Sequence, residues 1–314
     1  MLNRRTLTLN TTPCLYPSDH NEAYQLPSLE QFLQKSILYF EQLYLYHWLT
    51  VERIVDYVKS DRARRQKKHI KTEADKKWSE IINQNPIPVF VRTNKDFLQT
   101  VKQAHVVLQL EDDVTRKLYQ NFTNTHTYQL YSQKTQQTVK EQTDIMRFLL
   151  VEILQKDELY QSHLEDMFFN YYDDIDIIYP LLVNQLNNFF DSSGLSLLPD
   201  REAIDDRLKF GRELLAKTLQ NADTFKQLIV PQLHNWDPDR VNSTDNVLLR
   251  MALCELLYFP NIPVKVSINE YVDISKQYST PKSKDFVNGV LDKLMKKLTN
   301  EGKIKKVGRG VIGF

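Results

Sequence analysis

The sequence predicts an all-α fold, a helical bundle, and three observations carry that expectation. Only 7 glycines occur among 314 residues, whereas sheet-based folds spend glycine freely on turns. Apolar residues recur at three- and four-residue intervals over long stretches, the spacing that puts them on one face of a helix. Prolines and capping residues punctuate those stretches at short intervals, which suits helices joined by brief connections.

Taken in order, residues 1–28 read as irregular, because Pro13, Pro17 and Pro27 interrupt any long helix. From Leu29 a helix is expected, with Phe32, Leu33, Ile37, Phe40, Tyr44, Trp48, Val51 and Val55 on its apolar side. A basic run follows from Arg62 to Lys77, eight Lys/Arg against Glu73 and Asp75. Asn85-Pro86-Ile87-Pro88 then breaks the chain. Helical spacing resumes over residues 95–160, as in Phe97, Val101, Ala104 and Leu108. Residues 152–176 are acidic, with eight Asp/Glu against Lys156. Asp191-Ser192-Ser193-Gly194 and Pro199 form the best candidate domain boundary.

The region 202–300 is the most regular. Ile204, Leu208, Leu215 and Leu219 mark one helix, and Phe225, Leu228 and Ile229 a second that ends near Pro231. Ser243 or Thr244 is expected to cap a third, with Asp245 in its first turn, where a carboxylate suits the helix dipole. That helix, Val247 to Phe259, is apolar on nearly every face and should be central and buried. Ser267-Ile268-Asn269-Glu270 reads as a capping box, and Thr280-Pro281 as an N-cap followed by proline at the first helical position. Phe286, Val287, Val290, Leu291, Leu294 and Leu298 line the last helix. The domain expectation is therefore 1–200, a helical N-terminal and expanded middle region; 201–300, a compact bundle; and 301–314, a basic flexible tail.

Composition excludes several classes of function. Hydrophobic residues at 41% and charged residues at 26% permit a buried core, so disorder is not the expected main state. The net charge of +1 gives no overall electrostatic grip on nucleic acid and leaves only local patches. Two cysteines, Cys14 and Cys254, exclude a disulfide framework and a cysteine-rich zinc site. No apolar stretch has the length of a membrane span, and the residues after Arg5 are threonines rather than an apolar signal core. A cytoplasmic protein with no membrane partner is expected.

Enzyme signals are poor, and no catalytic residue, cofactor or metal is expected. The seven histidines are scattered with no His-x-x-x-His pair. Asp173, Asp174 and Asp176 read as a solvated acidic face rather than a metal or acid–base pair. A formal Gly-x-Gly-x-x-Gly match at Gly308, Gly310 and Gly313 has no helix after it to present amides to a phosphate. Met251, Cys254 and Trp236 read as packing residues, and the basic run at 62–77 as a solvated face with phosphate contact as its alternative. The cluster from Tyr278 to Phe286 sets Lys282 and Lys284 between two aromatics. Lysines neutralise phosphate and aromatic rings stack on unpaired bases, although Phe286 also fits the core face of its helix.

Residues 205–294 carry a series of ordered motifs. They are Phe210–Leu215 (FGRELL), Asn235-Trp236-Asp237 with Arg240, Leu249–Leu256 (LRMALCEL), Ile262-Pro263 through Ile268-Asn269-Glu270, and Lys284–Asp292 (KDFVNGVLD). In this order and spacing they resemble the NusB family, and the chain is similar to its longer, Bacteroidetes-like members. The resemblance covers about a third of the chain and implies a NusB-like helical core at the C-terminal end of a longer helical chain. It also implies a transcription antitermination factor that binds boxA-type single-stranded RNA with the ribosomal protein NusE, joins the RNA polymerase antitermination complex and supports ribosomal RNA synthesis. By position, the implied RNA contacts are Arg4, Arg5, Tyr16, Tyr278, Lys282, Lys284 and Phe286, and the implied partner contact is Asp245.

Two departures from the family pattern shape the alternatives. Thr6, Thr8, Thr11, Thr12 and Pro13 stand where the family has basic, helix-forming residues, so the first RNA element is weakened. Residues 60–200 have no counterpart in compact members. A protein-binding helical adaptor that has lost specific RNA binding is therefore the second reading. An RNA-modifying enzyme is the third, and the glycine-rich nucleotide loop it requires is absent from the sequence.

Overall fold

The structure, a computed structural model, describes residue 15 and residues 26–70, 72, 78–191, 196–198, 201–233 and 241–311. Every regular element among them is helical, as the spacing predicts. Contacts divide the chain into two units. One runs from Leu38 to Asp200; the other holds Arg201 onward together with Leu15 and the helix up to Ile37. No described helix is long and apolar enough to cross a membrane.

The first unit is built on α1 (Leu26–Gln66). Within it Leu43, Leu45, Tyr46, Trp48, Val51, Ile54, Val55 and Val58 are all buried. Burial on so many faces makes this stretch a central helix and not a one-sided amphipathic one. Around it stand α2 (Pro86–Thr93), α3 (Lys95–Gln103), α4 (Asp112–Thr123), α5 (His126–Ser132), α6 (Val139–Phe148), α7 (Glu158–Met167) and α8 (Tyr171–Asn187). The expected break at Asn85-Pro86 is also a start. The Asn85 side chain accepts from the Ile87 amide at 3.0 Å, and Pro86 takes the first helical position, where its missing N–H costs nothing.

Some of the buried polar groups in this unit pair with one another. The Tyr160 hydroxyl lies 3.0 Å from His47 Nδ1 and 3.2 Å from Thr50 Oγ1, and burial pushes the His47 pKa down to about 3. The acidic face at 173–176 needs one correction. Asp174 is fully buried, with Asn170 donating to its carboxyl. The helical period turns it inward while Asp176 stays exposed.

The second unit contains α9 (Arg201–Gln220), α10 (Ala222–Ile229), α11 (Ser243–Tyr258), α12 (Val264–Tyr278) and α13 (Ser283–Asn300). As expected, α11 is the central helix: Val247 to Leu256 are all buried, and α9, α10, α12 and α13 all pack on it. Met251 and Cys254 are completely buried, and burial pushes the Cys254 thiol up to about 12, so it packs as a neutral group. Trp236 lies outside the described residues.

Three helix starts differ from expectation. The cap of α11 is Asn242, whose side chain accepts from the Thr244 amide at 2.9 Å, one residue before Ser243. Helix α12 begins at Val264 after Pro263, so Ser267 lies one turn inside it. There its hydroxyl is buried and donates to Glu255 Oε1 at 2.5 Å instead of capping. Helix α13 starts at Ser283 rather than at Pro281, because residues 280–283 close a turn in which the Ser283 amide donates to the Thr280 carbonyl at 2.9 Å.

The segment expected to be a flexible tail is docked over its described residues. The Val307 amide donates to the Pro260 carbonyl at 3.0 Å, and Lys306 Nζ donates to the carbonyls of Phe259 at 2.9 Å and Glu255 at 3.1 Å. Ile304 is buried. A Cβ at Gly310 would stand 1.9 Å from the Pro260 carbonyl oxygen, so only glycine permits this approach. Gly310→Ala should therefore undock the segment at a cost of about 1–3 kcal/mol. Loss of hydrogen-exchange protection at the Val307 amide, with the rest of the pattern intact, is the result to look for; unchanged protection would refute it.

Candidate nucleic-acid interface

The residues singled out near the last helix meet at the turn between α12 and α13. At its centre is Ser283, which is 1% exposed. Its hydroxyl donates to Asp245 Oδ2 at 2.7 Å and accepts from the Thr280 amide at 3.1 Å, with the Ser279 hydroxyl 2.9 Å away. Asp245 sits in the first turn of α11, so a side chain 38 residues earlier pins the turn. Because Ser283 points inward, its chain neighbours Lys282 and Lys284 both point out and are exposed. Tyr278, at the end of α12, is half-buried.

The result is a pair of ammonium groups at the N-terminus of an 18-residue helix. The positive end of the helix dipole and two mobile cations favour a phosphate there. Asp285, exposed in the same first turn, opposes this in part. This arrangement can hold backbone phosphates, and the half-buried Tyr278 adds an aromatic with exposed surface at the turn.

Two expected site residues take other roles. Phe286 is 5% exposed and lies on the packed face of α13 with Val287, Val290 and Leu294. A ring enclosed on both faces cannot stack on a base, so Phe286 is a core residue here. Asp245 is 4% exposed and its Oδ2 accepts from the Ser283 hydroxyl, so it organises the turn. Arg4, Arg5 and Tyr16 lie outside the described residues. The residue that sequence reasoning missed is Ser283. A serine between two lysines reads as surface, and only its bond to Asp245 reveals its burial.

A second buried centre braces α12 against α11. The Glu255 carboxyl accepts from Ser267 Oγ at 2.5 Å and from Tyr271 Oη at 3.1 Å, and all three residues are fully buried. No group of three or more His, Cys, Asp or Glu among the described residues is arranged to hold a metal ion.

Residues 175–296, from within α8 to α13, match the NusB family. A "Transcription antitermination protein NusB" of Salinibacter ruber is 42% identical over 105 residues, 33% of this chain and 66% of the relative. Another from Chloroherpeton thalassium is 35% identical over 123 residues, covering 39% and 58%. One from Myxococcus xanthus is 44% identical over 89 residues, covering 28% and 64%. The chain thus spans less than two thirds of the length of each of these relatives. No solved structure gives a significant match.

Proposed function

We propose, from the match of residues 175–296 to the NusB family, that this protein is a transcription antitermination factor acting by recognition alone. Its RNA ligand is a boxA-type single strand, its protein partner is the ribosomal protein NusE, and the assembly serves RNA polymerase during ribosomal RNA synthesis. The observation that carries the RNA part is the Asp245–Ser283 bond. It holds the α12–α13 turn so that Lys282 and Lys284 both face solvent at a helix start. Tyr278 supplies the aromatic surface, and phosphate neutralisation supplies most of the affinity. The NusE and boxA assignments rest on the family resemblance, and Asp245 supports them indirectly by shaping the turn.

The test is a salt titration. Lys282→Glu combined with Lys284→Glu should lower the affinity for a labelled boxA single strand. It should also reduce the magnitude of the log Kd versus log salt slope by about 1.4, at ~0.7 for each phosphate of the single strand that is no longer neutralised. An unchanged slope would show that the turn does not touch phosphate. If the parent protein binds NusE yet shows no affinity for boxA RNA above a scrambled strand, the adaptor reading replaces this one. The burial of Phe286, which removes one of the two aromatics from the surface, is the observation that favours that reading.

A further inference from the structure

The first unit, Leu38–Asp200, contains a cleft that the turn described above does not explain. It has a volume of about 320 Å³ and is lined by Arg65, Trp78, Tyr119, Asn124, Tyr128 and Gln129, among others. That volume is at the lower end of the range for small-ligand sites. Two of the aromatic walls are braced from behind: Tyr128 stacks edge-on against Phe122 at 4.9 Å, and Tyr119 lies 5.1 Å from Tyr57. Trp78 is half-buried at the rim. The Tyr128 side chain is almost wholly enclosed, being 5% exposed. Its hydroxyl nevertheless has no hydrogen-bond partner among the described residues. A buried hydroxyl without a partner is costly, and here it belongs to a wall of the cleft. Burial also raises the Tyr128 pKa well above its ordinary value, so the group stays protonated and can donate or accept.

The surroundings are cationic. Arg65, in the last turn of α1, lines the cleft, and Arg62, Arg64, Lys67 and Lys68 are close to it in the chain. Among the described residues, Asp61 is held by Arg64 and Arg65, and Glu80 by Arg62. Lys67 and Lys68 are both exposed. Aromatic walls, amide side chains and a buried hydroxyl beside an excess of positive charge are the features that take one unpaired base and its flanking phosphates. A protein ligand of acidic composition would use the charge but not the aromatic walls.

We infer that the cleft between Trp78, Tyr119 and Tyr128 is a second RNA-binding site, which takes one unpaired base of a single strand while the basic end of α1 holds the adjoining phosphates. The inference deepens the RNA-binding reading above and rests on it for the class of ligand. It gives the expanded region a role of its own. Trp78 offers the stacking face, and Tyr128 with Asn124 and Gln129 faces the base edge.

Full-length protein titrated with a fluorescein-labelled 12-nucleotide single-stranded RNA, and separately with the same RNA annealed to its complement, tests this. Trp78→Ala should weaken single-strand binding by roughly 5- to 150-fold, the range for losing one base stack, and leave duplex binding unchanged. Trp78→Phe should restore most of the affinity. Tyr128→Phe, which keeps the ring and removes the hydroxyl, should cost roughly 2- to 10-fold. Melting curves confirm that each variant is folded. Single-strand affinity within twofold of the parent for both Trp78→Ala and Tyr128→Phe would overturn the proposal, as would equal weakening on single strand and duplex. The same variants in a Lys282→Glu, Lys284→Glu background separate the two sites. Weakening by Trp78→Ala without weakening by the lysine changes would sink the turn and leave the cleft standing; the converse would sink the cleft.

Discussion

Glu255→Ala is expected to destabilise the protein by about 2–6 kcal/mol, because it removes a carboxylate acceptor from two buried hydroxyl groups, at about 1–3 kcal/mol each. Ser267 and Tyr271 reach the carboxyl from successive turns of α12, and neither has any solvent exposure. Alanine leaves a void where the side chain stood. Urea titrations followed by circular dichroism measure the effect. Ser267→Ala and Tyr271→Phe should each cost less than Glu255→Ala, since each removes one donor and leaves the other in place. Combined with Glu255→Ala they should add little, the non-additivity of a shared network. A Glu255→Ala variant within 0.5 kcal/mol (roughly the ordinary surface-substitution range) would show that the network is not a structural brace.

The second large effect is on pH dependence. Burial first, and the neighbouring Asp173 second, raise the Asp174 pKa to about 8, while the hydrogen bond from Asn170 acts in the opposite sense. In the unfolded chain an aspartate titrates near ~3.9. The folded state therefore holds a proton that the unfolded state releases between these values. The stability from this proton is fully present below about pH 4 and is lost as pH rises through 8. At ~1.36 kcal/mol per pKa unit, over about 4 units, the loss reaches at most about 6 kcal/mol. Asp174→Asn, neutral at every pH, should match the parent near pH 4 and exceed its stability increasingly up to pH 8. Parallel stability curves for the two proteins across that range would be the contrary result.

Both groups illustrate what could be read in advance. The helical class was legible because three- and four-residue spacing is a local property, visible in Leu33, Ile37, Phe40 and Tyr44 without any knowledge of neighbours. The burial of α11 was legible for a related reason: Val247 to Leu256 is too apolar to leave any face in water. The caps were less legible. Ser267 has the spacing of a capping box, yet α12 starts four residues earlier, with Pro263 in the cap position. Spacing motifs name a candidate, and the long-range position of the backbone decides whether it is used.

By itself, then, the sequence determined the all-helical class, the central apolar helix and the NusB-like segment, each carried by residues close in the chain. The tertiary structure decided which members of the basic and aromatic cluster can meet a ligand. It turned Phe286 into the core, tied Asp245 to Ser283 across 38 residues and left Lys282 and Lys284 outside. It also brought Trp78 together with Tyr119 and Tyr128. Exposure is set by whatever packs against a side chain, and those neighbours come from distant parts of the chain; periodicity reports which residues share a face but not what covers it.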